Sequence, residues 1–243
     1  MNRIDKCFEQ LKAAGKKAVM PFVTAGDPDM ETTVNAVTEM FDRGADIMLM
    51  GVPFSDPIAE STVIQEASLR SLENGTTLDK VFAAVEKIRA VSEKPVVLMM
   101  YINTIFAYGT DKFFSLCSEK GVDGVIIPDL PFEEHDEVAE YAQKYDVYNI
   151  TVAAPSSRDR IKMITKSATG FVYCVSNGSG NYEEFVAAVA ENASCPVCAV
   201  LCDGKAVSRC DAVACDSAVV ELMNRESENA VKAAGEFAAA MVS

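Results

Sequence analysis

Eight short apolar runs, at 18–24, 47–50, 95–100, 124–127, 148–153, 171–175, 195–201 and 211–215, punctuate this chain, and amphipathic or polar stretches separate them. The run VVLMM at 96–100 has no polar alternation, which is the mark of a strand buried on both faces. Strands of that kind alternating with helices make a parallel sheet. Helical spacing predicts helices at 30–42, 63–74, 78–91, 111–120, 133–144, 157–167, 183–191, 216–223 and 230–241, and an N-terminal one in which Ile4, Phe8 and Leu11 share a face. Eight such units in 243 residues match the usual length of about 250 for a closed barrel. The expectation is an α/β chain folded as a single (β/α)8 TIM barrel over 1–243, with the N-terminal helix capping one end and Leu49 pointing inward. One connection is short. Only 204–209 separate the seventh and eighth strands, under two helical turns where a crossover normally takes a dozen residues or more.

The second run ends in a distinctive loop, within DIMLMGVPFSDPIAESTVIQ at 46–65. Pro53 cannot donate to a sheet ladder, so the strand stops by Gly51. Asp56 and Pro57 then favour a turn, because Asp bonds its own backbone and Pro presets φ. A buried strand running into a polar, proline-stiffened loop is where barrels carry their chemistry. This loop is the first candidate site.

Composition narrows the function classes. With 22 basic against 36 acidic residues the formal charge is −14, which argues against nucleic-acid and anionic-membrane partners. No apolar run is long enough to span a bilayer, and the N-terminus lacks the apolar core of a signal peptide, so a cytoplasmic protein is expected. Eight cysteines in that setting read as reduced thiols. Cys195 and Cys198 have the spacing of a metal or redox pair, but CPVCAVLC also reads as a strand in which Cys serves as a small apolar residue. The one histidine, His135, lies among acidic residues and is expected in solvent, and a single histidine supports neither a hydrolytic triad nor a histidine-rich metal site.

Five segments carry a resemblance: TAGDP at 24–28, GVPFSDPIA at 51–59, LMMYIN at 98–103, VIIPDLP at 125–131 and GFVYCVS at 170–176. In this order they closely resemble the α subunit of tryptophan synthase. The resemblance implies a (β/α)8 barrel that cleaves indole-3-glycerol phosphate by a retro-aldol reaction and passes indole to a pyridoxal-phosphate β subunit. It implies no cofactor for this chain itself.

Carried over residue by residue, the resemblance makes Glu60 and Tyr173 the candidate catalytic residues, with Glu60 standing where the family has Asp. Phe22, Leu49, Tyr101, Asp203, Asp216 and Ser217 fall in the substrate pocket, and Pro53, Asp56, Pro57, Asn103, Asp129 and Pro131 on the surface that meets the β subunit. The departures are specific. Leu49 occupies the position of the proton-donating Glu, and loss of such a group is typically worth 10²–10⁴ in rate. Asp203 and Asp216 stand where glycines bind the substrate phosphate, and the loop after Ser176 is short. The expectation is a tryptophan synthase α-like protein that has lost most lyase activity and acts as a binding partner of a β subunit. Two alternatives stand beside it: an active subunit with a displaced acid, and a barrel whose mouth takes a different, non-phosphorylated small molecule through Glu60, Asp203 and Asp216.

Overall fold

The computed structural model describes residues 1–58, 60–176, 181–201 and 207–242. Eight parallel strands close into one barrel: β1 (Ala18–Thr24), β2 (Met48–Gly51), β3 (Val96–Met99), β4 (Gly124–Ile126), β5 (Tyr148–Ala153), β6 (Val172–Cys174), β7 (Val197–Val200) and β8 (Ala212–Cys215). The last strand pairs with the first from Ala18 opposite Ala212 to Pro21 opposite Cys215. Side chains alternate across each strand. Met20, Phe22, Leu49, Val97, Ile126, Ile150, Tyr173, Cys198 and Ala214 form one interior cluster, while Val23, Met48, Met50, Val96 and Leu98 pack in another, against the helices. Leu49 is fully buried in the interior, as its register predicts.

The helix α1 (Arg3–Ala13) caps the N-terminal end of the barrel, where its Ile4 and Phe8 join the interior cluster. Its position is held by polar contacts. Asn2 caps the helix, accepting from the Ile4 N–H, and its amide donates to the carbonyls of Asp123 and Asp146. The buried Asp123 carboxylate accepts from Arg3, from Arg89 and from the Val96 N–H.

The outer layer runs α2 (Met30–Asp42), α3 (Thr62–Glu73), α4 (Leu78–Arg89), α5 (Ile102–Tyr108), α6 (Thr110–Lys120), α7 (Asp136–Lys144), α8 (Ile161–Thr165), α9 (Tyr182–Asn192), α10 (Ser217–Glu226) and α11 (Ala230–Val242). Three expectations need correction. Asn103, which falls in the stretch 101–110 where no helix is predicted, lies in the helix α5, whose first N–H, on Ile102, is accepted by Asp129 from another connection. Residues 155–160 form a 3-10 turn ahead of the short α8, in place of a longer helix that starts at 157. His135 is half-buried, with its ring 5.4 Å from that of Phe132, and burial lowers its pKa.

Among the described residues of the short β7–β8 connection no helix is present. Val207 and Cys210 of that segment pack with Val197 and Ala199 of β7, and Lys17 donates to the Val207 and Ser208 carbonyls. Among the described residues no helix is long and apolar enough to cross a membrane.

Asp123 yields the first prediction. Asp123→Ala leaves the half-enclosed Arg3 and the nearly buried Arg89 without their shared anion. The expected loss is about 3–5 kcal/mol of unfolding free energy, measured by urea titration. A loss under about 1 kcal/mol, the size of an exposed pair, would contradict the assigned role.

Candidate active site at the barrel mouth

At the C-terminal ends of the strands, Phe22, Leu49 and Tyr173 share the barrel interior. Phe22 lies opposite Leu49 in the β1–β2 register. Gly51 makes this arrangement possible, because a Cβ there would sit 2.3 Å from Cζ of Phe22. The wall around Leu49 is therefore apolar, and Leu49 itself has no proton to give.

The loop after β2 is held by its neighbours. Tyr101, between β3 and α5, stacks on Phe54 with ring centroids 4.8 Å apart, and its hydroxyl accepts from the Ile58 N–H at 3.1 Å. Tyr101 thus positions this loop, a role that its place in the sequence did not disclose. Gln65 donates to the Glu60 carbonyl, and Ser61 caps α3. The Ser61 hydroxyl also meets that of Ser217, 2.7 Å away, so the loops after β2 and β8 touch across the mouth.

These contacts bring Glu60 near Asp216. Glu60 is half-buried, and among the described residues its enclosed Oε2 has no hydrogen-bond partner. Its pKa is pushed up from an ordinary 4.5 to about 7, first by burial and then by the charge of Asp216. Asp216 caps α10, its carboxylate accepting from the Ser217 N–H. That amide is one an anion at the helix start would use. Asp203 and residues 177–180 lie outside the described residues.

The six candidate partner residues fall on the connections after β2, β3 and β4. Asp56, Asn103 and Pro131 are exposed, Pro57 and Asp129 partly so, and Pro53 is buried. Asp129 is also the residue that starts α5. Two residues the sequence reading missed lie on the same connections: Ile58 and Phe106, 84% and 46% exposed. An isoleucine inside a polar, proline-rich turn was the available signal.

Elsewhere, Cys198 packs in the barrel interior, Cys195 lies at the margin of a core cluster, and burial raises both thiol pKa values. Cys202 lies outside the described residues. Among the described residues, no group of three or more His, Cys, Asp or Glu is placed to hold a metal.

Comparison with known proteins places this geometry. The family model for the tryptophan synthase alpha chain matches residues 8–196, stopping just before β7. A tryptophan synthase alpha chain from Thermoanaerobacter sp. (strain X514) is 49% identical over 176 residues, 72% of this chain and 67% of the relative. The crystal structure of tryptophan synthase subunit alpha from Legionella pneumophila superposes with a TM-score of 0.92 at 33% identity, covering 99% of this chain and 97% of that one. A chain of the tryptophan synthase α2β2 complex from Pyrococcus furiosus superposes at 0.86 with 31% identity, covering 91% and 95%. The chain belongs to the tryptophan synthase alpha chain family.

Proposed function

We propose that this chain acts chiefly as a partner of a tryptophan synthase β subunit and has lost most of the family's cleavage of indole-3-glycerol phosphate. The observation that carries the reading is Leu49, fully buried in the apolar interior at the position where the resemblance implies a proton-donating Glu. Asp216 supports it. A carboxylate about 4 Å from a phosphate oxygen opposes it by about 4 kcal/mol per charge pair at an effective dielectric near 20. The partner role is supported by the relative from Pyrococcus furiosus, which is named as part of an α2β2 complex, and by the exposed apolar Ile58 and Phe106 beside Asp56, Asn103 and Pro131. Exposed apolar side chains amid polar ones suit an association surface.

A second reading, an active subunit with a displaced acid, is favoured by Glu60. Its carboxyl titrates near neutrality with an oxygen that is enclosed and unpartnered, the condition of a general acid. Against it, Glu60 sits on the loop beyond β2, whereas Leu49 is on the strand.

Indole release from indole-3-glycerol phosphate, with and without a family β subunit, is the test. The isolated chain is expected to turn over at least ~10³-fold more slowly than a competent relative, with Leu49→Glu alone failing to restore the rate while Asp216 remains. A wild-type rate within about tenfold of a competent relative's would overturn the proposal. Loss of a substantial rate in Glu60→Gln, together with a wild-type rate that falls as pH rises through 7, would favour the displaced acid instead.

Glu60 also makes a prediction about stability. Its folded pKa, about 7, exceeds its ordinary 4.5, so the folded state holds the proton more tightly. The resulting stability is fully present below pH 4.5 and is lost as pH rises through 7. Glu60→Gln stays neutral throughout. Urea midpoints for wild type should therefore fall relative to those of Glu60→Gln across this window; parallel curves would contradict the assigned environment.

A further inference from the structure

Strands of a parallel barrel are normally apolar on both faces, and β5 departs from that pattern. Its Tyr148, Ile150 and Val152 pack in the interior cluster, so Asn149 and Thr151 alternate outward, toward the helices. Their register partners on the flanking strands are valines, Val125 on β4 and Val172 on β6. Those valines belong to two separate outer clusters, one beneath α7 and the other beneath α8 and α9. The outer core is therefore interrupted at β5. The five-residue α8 rises only about 7.5 Å, whereas the six residues of β5 span about 20 Å.

A cavity of about 590 Å³ occupies this gap, within the ordinary range of small-molecule sites. None of its lining residues adjoins in sequence a segment outside the described residues. Asn149 and Thr151 line it from the strand, Gln143 from α7, Thr169 from the turn before β6, and Phe132 and His135 from the start of α7. Thr151 is only 4% exposed. Among the described residues, the side chains of Asn149, Thr151, Gln143 and Thr169 make no hydrogen bond. Buried polar groups ordinarily have partners, and these face a space instead.

Polarity decides what that space suits. A helix covers a strand with apolar side chains and keeps its own N–H and C=O groups bonded along its axis, so a docked helix leaves Asn149 and Thr151 unanswered. Charge narrows the choice further. No Lys or Arg is among the lining residues, and the exposed Glu133, Asp136 and Asp146 stand at the rim, with Glu133 paired to Arg160. That rim opposes an anion, while the uncharged groups deeper in give a cation nothing to pair with. Carboxamides and hydroxyls both donate and accept, and burial lowers the pKa of His135, leaving a neutral imidazole that does the same. The Phe132 and His135 rings are tilted by 51°, so this pair makes no parallel slot for a flat heterocycle. We propose that the cavity binds an uncharged polyol of monosaccharide size, with its hydroxyls on Asn149, Thr151 and Gln143 and its apolar face against Phe132. The site is on the outside of the barrel and is independent of the reading of the mouth.

Saturation-transfer NMR of the full chain, titrated singly with D-glucose, D-galactose, D-mannose, D-ribose and myo-inositol, is the test. At least one is expected to saturate a single site, and its phosphate ester to bind more weakly, with the gap narrowing as salt rises. Thr151→Val removes one hydroxyl at nearly constant volume, and Asn149→Leu removes the carboxamide. Each should weaken the sugar at least ~5-fold, the worth of about one hydrogen bond. Because each puts an apolar group in place of an unpaired polar one, neither should lower the urea midpoint. The proposal is overturned if no member of the panel saturates, if the ester binds as tightly as its sugar, or if either variant binds like the wild type. A lowered midpoint in either variant would also overturn it, by marking the polar group as structural. So would a concentration-dependent dimer weakened by Asn149→Leu, which would place a second copy in the cavity.

Discussion

Closure of the sheet is the constraint on which the other features rest. An open parallel sheet would leave a row of backbone donors and acceptors unpaired at each edge. Here the ladder from Ala18 and Ala212 to Pro21 and Cys215 removes both edges. Closure divides every strand into a residue that faces the interior and one that faces the helices, and both environments are dry. Position 49 is then committed to the interior, and a leucine there packs with Phe22 and Tyr173. The shortened β7–β8 connection still satisfies the ladder. Among the described residues, Val213 on the outside of β8 is only partly covered.

At the mouth, the same closure brings the loops after β2 and β8 together, and the contact between Ser61 and Ser217 joins them. On the reading proposed here, the consequence is an acidic rather than an anion-receiving mouth. Glu60 shares its surroundings with Asp216, and the Asp216 carboxylate already occupies the amide at the start of α10. The interactions favour a bound proton and oppose a phosphate. On the reading proposed here, the rim that carries Ile58, Asn103, Phe106 and Pro131 keeps its association role, because it depends on Tyr101 and Asp129 holding their loops and not on the chemistry at position 49.

Much of the barrel was legible because burial on both faces leaves an unbroken apolar run, as in 96–100, and because such runs recur. The helix α5 was not, since its first N–H is satisfied by Asp129, 27 residues further along, and no local capping residue announces it. Candidate residues could be named from motif matches, but their environments could not. The neutral-range carboxyl of Glu60 arises from enclosure and from a charge 156 positions away, by the numbering of the Ser61 and Ser217 contact that joins their loops. The positioning role of Tyr101 depends likewise on a contact with Ile58, 43 residues earlier. Contacts of this kind follow from the closed fold and leave no local periodicity.

The central claim is that the mouth no longer receives a phosphorylated substrate, and calorimetric titration with glycerol 3-phosphate tests it most directly. The account predicts no measurable binding by the unmodified chain and a gain in affinity in Asp216→Gly, largest at low salt, where the opposing charge is least screened. Tight, saturable binding by the unmodified chain, or an Asp216→Gly variant indistinguishable from it, would contradict the account.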